Sequence, residues 1–408
     1  YTHELTSHSH TCLYSPILLL MFDKSRVISL GALSFLVSGG FCVEVPLTLL
    51  DENVYPKAKC LDGSPGGYYA QEAKDAASKN KWVIYLKGGG ECDTEEYCLE
   101  QSQTKHGSSK YISPKWDSTQ YISYIASDNC RDNPEFCTWN QITNPYCSQD
   151  LHSGQVDVPS EDTWGLYFAG HFIIEAILDE MDMFTNKLSD ATDIILLGAS
   201  AGGIGTWMHI DYLAQRYPKA KVSGLTVAGH YFYANYYTGP DSTTDMELAD
   251  FTESGWESAY HLYNSYIDES CRDVYETNNQ SPAPCMLSSF SQPHVSSEVY
   301  IVQSQTDSVV LKYHDNWPED HMNDAPEQEY TEEWHANMTA AVAPLLESSR
   351  NGVFAAACYT HTDFLAKKPV INGVGFMEAF TNFYYNRTTS EGFNFVDDCG
   401  EMCNSNCV

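Results

Sequence analysis

Ser200 stands among small residues, Gly198-Ala199-Ser200-Ala201-Gly202, directly after the apolar run Asp193–Leu197 and before the helical stretch Ile204–Tyr217. A serine on so tight a strand-to-helix turn is held in a strained backbone with its hydroxyl exposed, and the helix N-terminus sets free N–H groups beside it. Larger neighbours would collide with the adjacent backbone. This is the setting of an acyl-transfer nucleophile; a plain small-residue turn reads the same locally, so the partners decide. The serine needs a base, and the base needs an orienting carboxylate. In the chain order Ser, Asp, His, the residues placed after later strands are Asp307, after Glu298–Val302, and His361, after Val353–Tyr359. His230, behind Val222–Ala228, is a rival base, but it precedes Asp307; Asp315 and Asp320 are rival carboxylates with no strand leading into them. An oxyanion hole would pair the Ala201 amide with bare backbone from an earlier strand end, and Lys87-Gly88-Gly89-Gly90-Glu91 supplies such a turn.

Other chemistries find no support. The glycine turn lacks the Gly-Lys-[Ser/Thr] of a phosphate loop, and no G-x-G-x-x-G fingerprint occurs. There is no H-E-x-x-H, and Cys399, Cys403 and Cys407 are separated by three residues rather than the usual two of a zinc site. Neither metal nor cofactor is expected.

The elements that must position these residues are legible as strands at Lys81–Leu86, Asp193–Leu197, Val222–Ala228, Glu298–Val302 and Val353–Tyr359, with Val43–Asp51 also β-like. Helices are expected over Gly165–Phe184 and Ile204–Tyr217. Strands alternating with helices predict an α/β fold: a mostly parallel sheet with helices on both faces and its reactive loops beyond the strand ends. Residues 92–160 are loop-rich and carry five cysteines, so disulfides should brace them; residues 231–290 are aromatic and acidic, a cap over the site or an insertion on its rim.

The chain has 408 residues, 14 cysteines and a net charge of −33. No basic stripe exists to hold nucleic-acid phosphates or an anionic membrane. Residues 21–42 have a basic start, a short apolar core and small residues, the layout of a signal peptide; a signal anchor is the alternative. Residues 1–20 precede a plausible start at Met21 and read as an upstream extension without structural role, which leaves 43–408 as one domain. Removing 1–42 takes away Cys12 and Cys42 and leaves twelve cysteines, an even number whose default partners in an exported chain are one another, Cys92 with Cys98 as the local pair. Sequons at Asn279, Asn337 and Asn386 agree with export, the first weakened by Pro282. No second long apolar run is present, so no stable membrane insertion is expected. The reading is a monomeric protein of the extracellular space, cell wall or secretory pathway.

Several segments together resemble the pectin acetylesterase/Notum family of secreted carboxylesterases. They are Cys60-Leu61-Asp62-Gly63-Ser64-Pro65-Gly66-Gly67-Tyr68, Leu86–Cys92, Asn133-Pro134-Glu135-Phe136, Trp139-Asn140, Tyr146-Cys147, Gly198–Gly203, Ser304–Ser308, Cys358-Tyr359-Thr360-His361 and the tail from Asp398 to Cys407. The resemblance implies an α/β-hydrolase fold, a Ser200–Asp307–His361 triad and an oxyanion hole from the backbone of Gly89, Gly90 and Ala201. It implies a secreted esterase that removes O-acyl groups, acetyl foremost, from a cell-wall or extracellular polysaccharide. The alternatives are a Notum-like deacylase of a lipidated protein and a non-catalytic binding protein on a hydrolase scaffold. Two departures fall where the acyl pocket should be shaped: Gly90-Glu91 stand where the family has a tryptophan, and Val227-Ala228-Gly229 where it has an acidic residue before the glycine. The acidity also bears on substrate, since a polyanionic pectin approaches such a surface freely only when salt screens it.

Overall fold

The computed structural model describes residues 44–407 apart from 118–120, 243–247 and 388–391. The expected leader at 21–42 and the extension at 1–20 therefore lie outside the described residues.

The chain enters through β1 (Glu44–Leu49) and β2 (Gly67–Gln71), then forms β3 (Lys81–Leu86), β4 (Lys115–Asp117) and β5 (Asn140–Asn144). After these come β6 (Asp193–Ala199), β7 (Lys221–Val227), β8 (Glu298–Asp307), β9 (Gly352–Thr360) and β10 (Asn394–Val396). They join in one ten-stranded sheet in the order β10-β9-β8-β7-β6-β3-β5-β2-β1-β4. From β5 to β10 all neighbours are parallel, while β2, β1 and β4 add an antiparallel margin.

Alternation along the strands builds two cores. Trp82, Ile84 and Leu86 of β3, with Ile194 and Leu196 of β6, join one apolar layer; Val83 and Tyr85, with Ile195, Leu197 and Ala199, join the other. The first layer is covered by helices α1 (Gly170–Asp182), α2 (Ala201–Arg216), α3 (Glu253–Tyr263) and, after α4 (Glu269–Thr277), α5 (Ala325–Leu346). The second is covered by α6 (Phe376–Tyr384) with Phe136, Trp139 and Phe364. Strands buried on both faces read as continuous apolar runs, which is why β3 and β6 stand out in the sequence.

One expectation is corrected in length. The β8 strand does not stop at Val302 but runs to Asp307, through the polar stretch Gln303-Ser304-Gln305-Thr306. Those side chains are buried with partners inside: the Gln303 side-chain oxygen accepts from the His230 amide at 3.0 Å, and Gln305 donates to the carbonyls of Ala355 and Asp397. The β8–β9 register shifts between Ser304 and Thr306, and the hydroxyls of both residues donate to the displaced Cys358 carbonyl. Such a bulge re-aims the chain beyond it, here the ends of two strands that carry Asp307 and His361.

Six disulfides pair all twelve described cysteines: Cys60–Cys147, Cys92–Cys98, Cys130–Cys137, Cys271–Cys285, Cys358–Cys407 and Cys399–Cys403. The local Cys92–Cys98 pair is as expected, and three of the bridges brace the loops of residues 92–160.

Candidate active site

Ser200 sits between the end of β6 and the start of α2 with φ 57° and ψ −127°, a conformation that costs a non-glycine residue about 1–3 kcal/mol. The turn holds because its neighbours are small and its backbone is paired. The Ser200 amide donates to the Val227 carbonyl at 2.9 Å, and its carbonyl accepts from the amides of Gly203 and Ile204. A Cβ on Gly202 would lie 2.0 Å from the Leu86 carbonyl, and one on Gly88 would lie 2.5 Å from Ser200 Cβ. The glycine turn and the serine turn are thus in direct backbone approach.

Asp307 ends β8 with no exposure. Its Oδ1 accepts from the amides of Val309 and Val310 at 3.0 and 3.1 Å, and its Oδ2 accepts from the Tyr231 hydroxyl at 2.9 Å. His361 Nδ1 lies 2.8 Å from Oδ2 and 2.9 Å from Oδ1. Burial alone would push the Asp307 carboxyl up; the His361 charge and hydrogen bond, the Val310 amide and the Tyr231 hydroxyl outweigh it and hold it below its ordinary value. A carboxylate at Nδ1 places the imidazole proton there and leaves Nε2 as the acceptor nitrogen. That Nε2 is buried and has no hydrogen-bond partner among the described residues.

Ser200, Ala201, Gly88, Gly89, Gly90 and His361 line one cavity of about 330 Å³. Tyr231, Leu248 and Phe251 come to its wall from the segment 231–290, so that insertion borders the site rather than lying apart from it. The glycine turn is held from behind by the loop after β5. His152 Nε2 bonds the Lys87 carbonyl at 2.8 Å, Gln149 Nε2 donates to the Gly89 carbonyl at 2.9 Å, and the Tyr146 hydroxyl donates to the Gly90 carbonyl at 2.8 Å. The amides of Gly89, Gly90 and Ala201 make no hydrogen bond among the described residues. Such amides can stabilise an anionic oxygen.

The rivals fall elsewhere. His230 is buried, its Nε2 bonds the Ala341 carbonyl at 3.0 Å, and it does not line the cavity. Asp315 is buried under Trp334, whose indole N–H donates to it at 2.9 Å, and burial raises it well above the carboxylate range. Asp320 lies in a short turn at Glu319–His321 away from the cavity. Among the described residues no group of three or more His, Cys, Asp or Glu is placed to hold a metal, and no helix is long and apolar enough to cross a membrane. Asn279, Asn337 and Asn386 are all exposed. Sequence reasoning missed Tyr231, the cavity-lining His314 and the three supports behind the glycine turn; a buried tyrosine pairing a distant aspartate leaves no periodic trace.

A family model described as Pectinacetylesterase matches residues 42–408. Pectin acetylesterase 5 of Arabidopsis thaliana is 27% identical over 371 residues, covering 86% of this chain and 82% of that one. The palmitoleoyl-protein carboxylesterase NOTUM of Schmidtea mediterranea is 29% identical over 259 residues, covering 62% of this chain but 47% of its own length. Among solved structures, that of the Wnt deacylase Notum from Drosophila superposes with a TM-score of 0.74 at 20% identity, over 90% of this chain and 100% of that one, a likeness of α/β fold.

Proposed function

The chain belongs to the pectinacetylesterase family and is a carboxylic ester hydrolase, and from that premise we propose that it is a secreted serine esterase removing O-acetyl groups from an extracellular polysaccharide. The observation that carries the mechanism is His361, bonded at Nδ1 to Asp307, unpartnered at Nε2 and lining the same cavity as Ser200. Ser200 Oγ attacks the ester carbonyl carbon and its proton passes to His361 Nε2. The oxyanion that forms is met by the amides of Gly89, Gly90 and Ala201, each strong donor lowering the barrier by about 3–4 kcal/mol. As the carbon–oxygen bond breaks, the sugar oxygen takes the proton from Nε2. A water then repeats the sequence on the acyl-enzyme and releases acetic acid. Asp307 keeps the His361 tautomer and balances the imidazolium without taking its proton. Six disulfides support export, because such bonds persist in oxidising compartments.

Ser200→Ala is expected to abolish acetate release from acetylated polysaccharide and from p-nitrophenyl acetate. Release at the wild-type rate would overturn the assignment. A second reading, a deacylase for longer acyl groups, draws on the 29% identity to a palmitoleoyl-protein carboxylesterase. Rates on acetyl and octanoyl esters measured side by side separate the two.

A further inference from the structure

Between Gly90 and the Cys92 disulfide, Glu91 turns inward: it is 5% exposed and forms part of the wall of the Ser200 cavity. The same cavity is lined by the apolar Ile204, Leu248, Phe251 and Val310 and by the titratable Lys87 and His361. His314 Nδ1 lies 3.4 Å from Glu91 Oε1, but its proton goes to the Ala249 carbonyl at 2.6 Å. Glu91 Oε1 has no hydrogen-bond partner, and no lysine or arginine pairs with the carboxyl among the described residues. Burial, with Asp93 adding to it, pushes this carboxyl up to about 8, while burial pulls His314 down to about 4, so the two meet as neutral groups at pH 7. The other titratable groups that feel Glu91 are the phenols of Tyr146, Tyr231 and Tyr263, all raised by burial first.

We propose that Glu91 sets acyl specificity: its carboxyl requires an oxygen partner inside the cavity, which a substrate hydroxyl or a water behind a two-carbon acyl group supplies and a long alkyl chain displaces. The inference rests on the esterase reading above and deepens it. Glu91 follows Gly90 directly and lines the cavity that Ser200, Gly89 and Gly90 line, so an acyl group bound on Ser200 shares that cavity with its carboxyl. A neutral carboxyl there donates and accepts, whereas an alkyl chain pressed against it removes water and returns nothing.

The test compares kcat/KM for p-nitrophenyl acetate and octanoate, read as acid release, in wild type, Glu91→Gln and Glu91→Leu. Glu91→Leu is expected to raise the octanoate-to-acetate ratio by about tenfold or more. Glu91→Gln keeps the size and a donor, so its ratio should stay within about threefold of wild type. Above neutrality the wild-type carboxyl ionises and loses its donor, so wild-type acetate hydrolysis should fall through a limb near pH 8 that Glu91→Gln lacks. An unmoved ratio in Glu91→Leu, or an alkaline limb that survives in Glu91→Gln, overturns the proposal. Labelling of Ser200 by a fluorophosphonate keeps the two readings apart. If wild type neither labels nor releases acetate, the esterase reading falls and this one with it; if it does both and the ratio is unmoved, this one falls alone.

Discussion

Asp307 is a fully buried carboxylate whose every partner is a donor, and Tyr231 is the one that comes from outside its own strand and loop apart from His361 itself. A hydrogen bond to a charged group contributes about 1.5–3 kcal/mol. Tyr231→Phe is therefore expected to lower kcat/KM on acetyl esters by about tenfold while leaving Ser200 open to labelling. A rate equal to wild type would show that the two backbone amides suffice to hold Asp307. The proposed triad rests on local signals in the sequence, a serine between small residues and a fixed chain order of partners. Tyr231 is not, since its role exists only where β7 and β8 lie side by side.

At the scale of elements, strands with uninterrupted apolar runs are legible to within a residue or two: Lys81–Leu86 coincides with β3, and Val353–Tyr359 lies inside β9. The missed elements hide their apolar pattern among polar residues. Helix α5 buries Thr331, Trp334, Met338, Val342 and Leu345 at helical spacing, but glutamates before Trp334 and mostly alanine, histidine, asparagine and threonine after it dilute the pattern. Strand β5, Asn140–Asn144, is entirely buried yet mostly amide and hydroxyl in composition, so nothing in its hydropathy marks it. The end of β9 also depends on a covalent tie: Cys358, three residues before His361, is bonded to Cys407 across 49 residues. In the chain-entropy account a loop of that length stabilises the fold by about 4 kcal/mol. Replacing both cysteines with alanine is expected to lower the urea-unfolding free energy by several kcal/mol, and a midpoint equal to wild type would contradict it.

For the whole molecule, burial acts on acids and bases in opposite senses. It pushes Glu91 up to about 8 and Asp150 up to about 6, and raises Asp93 and Asp315. It pulls His106, His209, His230 and His314 down to about 4, His152 to about 3 and His171 to about 2. A carboxyl raised on folding contributes stability that is complete below its unfolded pKa and is lost as pH climbs through the folded one. A histidine lowered on folding contributes stability that is complete above its unfolded pKa, 6.5, and is lost as pH falls. Between pH 8 and 6.5 the carboxyls dominate and acidification stabilises; below 6.5 the histidines, seven with His335, outnumber the five raised carboxyls, Glu401 included, and acidification destabilises. The melting temperature is expected to peak near pH 6.5, and a scan across pH 4.5–9 in which it keeps rising down to pH 5 would refute that balance.

The glycine turn of residues 87–90 is aimed from behind by hydrogen bonds from His152, Gln149 and Tyr146 to its carbonyls, and none of these bonds is made by residue 91. Rate and range are therefore separable in this scaffold. If the proposed hole is right, a combinatorial library at Glu91 and Phe251 samples new substrates while these carbonyl bonds hold the turn, whereas the same diversity spent at residues 146–152 would loosen it.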